Sequence, residues 1–60
     1  MDILLLQLYS YLRKNVIATN EQYKELEKEV EKFYNVCIDA GFTPKQAMIL
    51  GMMNINNSIN

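Results

Sequence analysis

The chain contains no histidine and no tryptophan, and its 60 residues include one cysteine, one proline and two glycines. Without histidine it lacks the side chain that serves as a general base near neutral pH. The lone Cys37 excludes an intrachain disulfide and the usual zinc and iron–sulfur sites. The sequence therefore predicts no catalytic residue, no metal and no cofactor. Because so short a chain is near the lower limit for a self-sufficient hydrophobic core, we expect self-association to stabilise it.

The net charge is also small, because six Lys and Arg against seven Asp and Glu give −1. A near-neutral chain has no electrostatic reason to bind nucleic acid, since phosphate neutralisation dominates that affinity. The leucine-rich start has Asp2 where a secretory signal carries positive charge. Its apolar run is also shorter than the roughly 20 residues needed to cross a bilayer. We expect a cytoplasmic protein.

No segment alternates as a strand would, which predicts an all-α fold in a single domain over residues 1–60. Helices are expected over about 2–16, 20–40 and 44–53, with a frayed tail over 54–60. The middle helix has the clearest signal, because its apolar residues alternate in steps of three and four, the pattern of a coiled-coil seam. The seam consists of Tyr23, Leu26, Val30, Phe33, Cys37 and Ala40. Thr19 and Gln22 predict a capping box at the start of this helix.

The first helix is apolar around most of its circumference. One strip can pack on the middle helix, and it contains Leu5, Leu8, Leu12 and Val16. Leu4, Leu6 and Tyr11 then point elsewhere. They require cover from a second copy of the chain, from another protein or from a membrane surface.

The stretch AGFTPKQA, residues 40–47, predicts a tight corner between two helices. Gly41 suits the left-handed end of the middle helix in a Schellman motif. Thr43 with Gln46 then forms a capping box, and Pro44 stands at the first helical position. The next helix presents apolar residues that serve either as core or as a binding groove: Met48, Ile49, Leu50, Met52 and Met53. Gly51 among them permits the close approach of another backbone.

Residues 36–47, VCIDAGFTPKQA, resemble the turn of helix-turn-helix DNA-binding proteins. The resemblance implies that the following helix enters the major groove with basic or amide side chains. In this chain only Lys45 and Gln46 precede MILGMM, which disfavours DNA binding.

Other residues of the corner resemble the glycine–aromatic loop and following helix of ubiquitin-associated domains. They are Gly41, Phe42, Gln46, Ala47 and Leu50. That resemblance implies a three-helix fold and ubiquitin binding, although the family places a further helix after this segment. In overall style the chain resembles the small helical proteins of Gram-positive phages and prophages, where an AGFT-type corner is common. A phage origin would place it in the host cytoplasm.

These observations predict a helical hairpin plus a short third helix, assembled as a homodimer through the first helix and the seam. The expected function is a non-enzymatic protein–protein interaction module, a phage-encoded modulator or inhibitor of a larger host or phage protein. The residues expected at the partner or oligomer interface are Leu4, Leu6, Tyr11, Tyr23, Leu26, Val30, Phe33, Met48, Met52 and Met53. The alternatives are a structural or membrane-peripheral oligomer and a helix-turn-helix-like DNA-binding protein.

Overall fold

The computed structural model describes residues 2–58 in full and Ile59 through its backbone. Within that range the chain forms three α-helices, α1 (Ile3–Asn15), α2 (Asn20–Asp39) and α3 (Pro44–Ile59). Each helix packs against the other two. α1 and α2 are antiparallel, since Asp2 at the start of α1 meets Tyr34 near the end of α2. The predicted all-α class is thus confirmed for the described residues.

Each helix begins at a side-chain cap that satisfies otherwise unpaired backbone donors. Asp2 Oδ1 accepts from the backbone N–H of Leu4 at 2.9 Å and caps α1. In α2 the predicted capping box of Thr19 and Gln22 is present in both directions, at 2.9 and 3.1 Å. A second box, between Thr43 and Gln46, starts α3 at 3.0 and 3.2 Å. Local sequence therefore determines where all three helices start.

The corner after α2 has the predicted Schellman geometry. Gly41 has φ of 101°, in the left-handed region. The Phe42 N–H donates to the Cys37 carbonyl at 3.1 Å and the Gly41 N–H to the Ile38 carbonyl at 3.0 Å. The Phe42 side chain stays 45% exposed, so much of its ring faces solvent instead of the core.

The third helix is longer than the sequence predicted. α3 has 16 residues against 13 in α1, so the hairpin with a short third helix is corrected to a bundle of three comparable helices. The frayed tail from residue 54 is wrong up to Ile59, and Asn60 lies outside the described residues. Ile55 is 4% exposed and continues the buried strip of Ala47 and Gly51 by one turn. A single apolar residue among asparagines gave too weak a periodicity to predict that turn.

The core lies between the three helices. Its buried residues are Leu5, Leu8, Leu12, Val30, Tyr34, Cys37, Ala47 and Ile55. Leu8 is fully buried against Gly51, where an added Cβ would lie 2.7 Å from Leu8 Cδ2. The glycine thus makes room for a leucine of the same chain. The sequence predicts the close approach of another backbone at Gly51, whereas the structure places the Leu8 side chain there.

The heptad seam of α2 serves the fold of its own chain. Val30 and Cys37 are buried in the core, 8% and 7% exposed. Leu26 and Phe33 are partly buried against that core, and Ala40 is exposed. Because α3 covers this side of α2, the seam does not form an open coiled-coil surface in this structure.

Candidate functional site

The predicted interface residues divide by their exposure. Leu6 and Met53 are 43% and 55% exposed, whereas Val30 faces the core of its own bundle and cannot reach a partner in this fold. The remaining predicted residues are partly buried: Leu4, Tyr11, Tyr23, Leu26, Phe33, Met48 and Met52. Of the whole set, only Leu6 and Met53 are exposed.

Two of the predicted contacts, Tyr11 and Tyr23, connect helices within the chain. The Tyr11 hydroxyl donates to Asn56 Oδ1 at 2.7 Å and joins α1 to α3. The Tyr23 hydroxyl donates to the Val16 carbonyl, and the Arg13 guanidinium lies 4.8 Å from the centre of the Tyr23 ring. Both hydroxyl groups therefore form hydrogen bonds within the bundle.

The side formed by α1 and α2 is polar and internally paired. Arg13 Nε lies 2.8 Å from Glu27 Oε2, and this hydrogen bond raises the pKa of Arg13. Burial, together with a hydrogen bond to Glu31, raises the pKa of Tyr9 to about 12. An open depression of ≈ 550 Å³ on this side is lined by Tyr9 and by α2 side chains of both charges. Such a mixed surface is typical of a solvated face.

Tyr34, near the end of α2, forms a hydrogen bond to the residue that caps α1. The buried Tyr34 hydroxyl donates to Asp2 Oδ2, which also belongs to the cap of α1. This hydrogen bond is the largest influence on Asp2 and lowers the pKa of its carboxyl. Burial, and then the Asp2 contact, raises the pKa of Tyr34 to about 12. Tyr34 is consequently a neutral structural donor at physiological pH.

The surface with the most exposed apolar side chains lies along α2 and α3. We define the α2–α3 face by Phe33, Val36, Phe42, Ile49, Leu50 and Met53. Val36 and Met53 are 59% and 55% exposed, and Phe42 and Ile49 are each 45% exposed. Large apolar side chains grouped in this way on a small protein are typical of a contact surface.

Two shallow depressions mark the α2–α3 face. One of ≈ 190 Å³ is lined by Phe42, Gln46, Ile49 and Leu50. The other, of ≈ 280 Å³, is lined by Glu29, Lys32, Phe33, Val36 and Asn54. Leu50 and Asn54 are one helical turn apart, so both depressions lie along the same side of α3. The face is therefore a shallow track along α3, bordered by α2 and by the corner residue Phe42.

Only part of the α2–α3 face is predictable from the sequence. Met53 and Phe33 are among the predicted interface residues, and Ile49 and Leu50 belong to the apolar set of the third helix that is expected to serve as core or as a binding groove. Val36 and Phe42 are in neither set. Val36 did carry a usable signal, since it is an apolar residue off the seam and among the charged positions of α2. Phe42 was interpreted only as part of the corner, and its exposure follows from the turn of the backbone there.

Over residues 2–58 no group of three or more His, Cys, Asp or Glu side chains is placed to hold a metal ion. No helix in the described part of the chain is long and apolar enough to span a membrane. Comparisons with protein-family models, with curated proteins and with solved structures found no match to this chain.

Proposed function

We propose that this chain is a non-enzymatic protein–protein interaction module that binds an amphipathic helix of a larger protein on the α2–α3 face. The observation that carries the proposal is the grouping of Val36, Phe42, Ile49 and Met53 there, each 45% to 59% exposed. Covering a large apolar side chain completely is worth about 1.5–3 kcal/mol, so a partner that buries several of them gains substantial affinity.

The shape of the face favours a helical partner. Both depressions, ≈ 190 and ≈ 280 Å³, fall below the roughly 300–1,000 Å³ of small-molecule pockets. Each suits a single side chain. Two such anchor points along one helix track match the spaced apolar anchors of an amphipathic helix in a groove. Met53 can adapt its shape to an apolar side chain of the partner helix, because its own side chain is unbranched and flexible.

The charges around the face point to the same class of partner. Glu29 and Lys32 flank one depression with opposite signs. A strongly acidic or basic ligand would gain little from this pair, whereas an apolar stripe with mixed flanking charges is compatible with it. The partner would be the larger host or phage protein that a phage origin implies, and binding would modulate its activity.

The two alternative functions have less support. Lys45 is the only cation in the sequence of α3, and its exposed Ile49 and Met53 cannot neutralise phosphate, so DNA recognition lacks its main source of affinity. For a membrane-peripheral role, the outward side of α1 offers Ile3 and Leu6, 70% and 43% exposed, beside polar residues. Two residues form too narrow an apolar stripe for an interfacial helix.

Selection of helical peptides from a randomised display library on the immobilised protein tests this function. We expect selected peptides with an apolar stripe, and their addition should shift the backbone amide signals of Ile49 and Met53 in NMR spectra. Ile49→Asp should weaken binding at least about tenfold, since a charge would occupy the apolar track. Ile3→Asp is the matched control, an exposed isoleucine outside the face, and it should bind like the wild type. Equal binding by Ile49→Asp, or shifts confined to the α1 and α2 side, would contradict the proposal.

A further inference from the structure

A fully exposed isoleucine lies in the short loop between α1 and α2. Ile17 is 103% exposed, so its side chain has no packing role in its own bundle. The loop around it is held at both ends. The Val16 N–H donates to the Leu12 carbonyl at 2.9 Å, and Thr19 begins the capping box of α2. Ile17 is therefore presented at a defined position, which lowers the entropy lost when it is bound.

An apolar groove of ≈ 490 Å³ lies directly beside Ile17, and Ile17 forms part of its wall. Its floor contains the buried residues Leu12, Val30 and Ile55, 2%, 8% and 4% exposed. The rest of the lining is Asn15, Val16, Leu26, Glu29, Asn54 and Ser58. The lining comes from the end of α1, from Leu26 to Val30 near the middle of α2 and from the last turns of α3, so the groove lies toward the end of the bundle that carries the α1–α2 loop.

We propose that this end of the bundle is a self-association site, in which Ile17 of each chain enters the groove of a second copy. Ile17 is an exposed apolar side chain, and it lies directly beside the apolar groove. A two-fold axis between them would allow both insertions at once, which is the self-complementary arrangement of an isologous dimer. The predicted homodimer thereby moves from the α1 and seam surface to the loop end.

A second copy suits the groove through the hydrogen-bonding groups of its rim and not through charge. Glu29 is the one ionised side chain among the described residues that line it, and Asn15, Asn54 and Ser58 supply neutral donors and acceptors. Two identical patches can therefore meet with hydrogen bonds around the rim and with a single like-charge pair, at the solvent edge. The adjoining depression, lined by Glu21 and Glu25, would bring more carboxylates together and is a poorer self-contact.

The size of this end predicts a weak dimer. The bundle measures 33 × 26 × 15 Å between its outermost Cα atoms, and the 20-residue α2 lies along the longest dimension because it is about 30 Å long. A contact made by one inserted isoleucine and its rim covers only part of so small a bundle, so we expect it to bury less than the ~800 Å² per partner of a standard interface. We expect a dissociation constant in the range of about 10 µM to 1 mM.

The dimer would leave only part of the helix-binding surface free in each copy. Phe42 and Ile49 belong to the other end of α3, away from the groove residues Asn54 and Ser58. Glu29 and Asn54, however, line both the groove and the ≈ 280 Å³ depression of the α2–α3 face, so a second copy in the groove would compete with the partner helix at that depression. Self-association through Ile17 does not depend on the proposed partner helix, so either proposal can be refuted while the other still holds.

Sedimentation equilibrium over about 10 µM to 1 mM tests the proposal. Wild type should approach the dimer mass at the highest concentrations, and Ile17→Leu should do the same. Ile17→Asp should dimerise at least about tenfold more weakly, with an unchanged melting temperature when dilute, because the side chain makes no internal contact. Ile3→Asp is the control at the opposite end of α1 and should dimerise normally.

An isotope-mixed sample locates the contact directly. We expect intermolecular NOEs between the Ile17 and Ile55 methyl groups. A wild type that is monomeric at about 1 mM, a dimer insensitive to Ile17→Asp, or NOEs from Ile17 to another surface would each overturn the proposal. Selected helical peptides should bind monomeric Ile17→Asp with wild-type single-site affinity, so loss of the dimer leaves the helix-binding test intact.

Discussion

Replacement of Gly51 by alanine tests the packing of α3 on α1. At an open helical position, Gly→Ala stabilises a protein by about 1 kcal/mol, because glycine has the larger conformational freedom in the unfolded chain. At Gly51 the new Cβ would lie 2.7 Å from Leu8 Cδ2 and 3.0 Å from Leu8 Cδ1. Leu8 is fully buried, so it has little space into which to move. Overpacking of this kind costs about 1–3 kcal/mol.

The two effects oppose each other, and their sum determines whether Gly51→Ala raises or lowers the free energy of unfolding. We expect Gly51→Ala to be between neutral and about 2 kcal/mol less stable than wild type, instead of about 1 kcal/mol more stable. Leu8→Val removes the δ carbons that cause the clash. In the Leu8→Val background, Gly51→Ala should therefore recover most of the helix-propensity gain. The interaction energy between the two sites should then be about 1–3 kcal/mol.

Urea unfolding followed by circular dichroism measures the four variants of this cycle. Samples should be dilute, so that self-association adds nothing to the free energy of unfolding. Asn57→Ala, an exposed position of α3, reports how strongly this helix responds to propensity alone. The reasoning is refuted if Gly51→Ala stabilises the protein equally in both backgrounds, since Leu8 would then not fill the space above the glycine.

Two further predictions concern pH. The pKa of Tyr34 is raised to about 12 from 10.0, so its contribution is complete below pH 10 and is lost as the pH approaches 12. The wild type should lose stability over that interval relative to Tyr34→Phe, and an equal dependence of the free energy of unfolding on pH in the two proteins would exclude the effect. The pKa of Asp2 is lowered from 3.8, so its contribution is present above that pH and disappears as the folded-state carboxyl becomes protonated. Asp2→Asn keeps an N-cap but loses the charge, and its stability deficit should shrink in acid; a constant deficit down to about pH 2 would contradict this assignment.

The local features of the fold were predictable because their partners are close in the sequence. Thr19 with Gln22 and Thr43 with Gln46 each form a box over three residues. The Schellman turn at Gly41 likewise depends on hydrogen bonds that span three to five residues. Such motifs are stabilised by their own side chains and backbone, so tertiary packing did not change them.

The packing partners were harder to predict, because periodicity identifies an apolar side of a helix without identifying what covers it. The seam of α2 has the spacing of a coiled coil, yet α1 and α3 of the same chain cover Val30 and Cys37. The length of α3 posed the same difficulty. Its last turns are held by Ile55 in the core and by Asn56 at Tyr11, contacts to distant residues that no window of local sequence contains.

The longer third helix also changes the reason to expect a partner. The sequence implied that α1 had too much apolar surface for one neighbouring helix, so a second chain seemed necessary for folding itself. In the structure α3 supplies the second neighbour, and Leu4 and Tyr11 become partly buried within the bundle. The apolar surface that remains lies elsewhere, on the α2–α3 face and at Ile17. Since these side chains are not needed to complete the core, their exposure costs solubility without adding stability, which favours a role in binding.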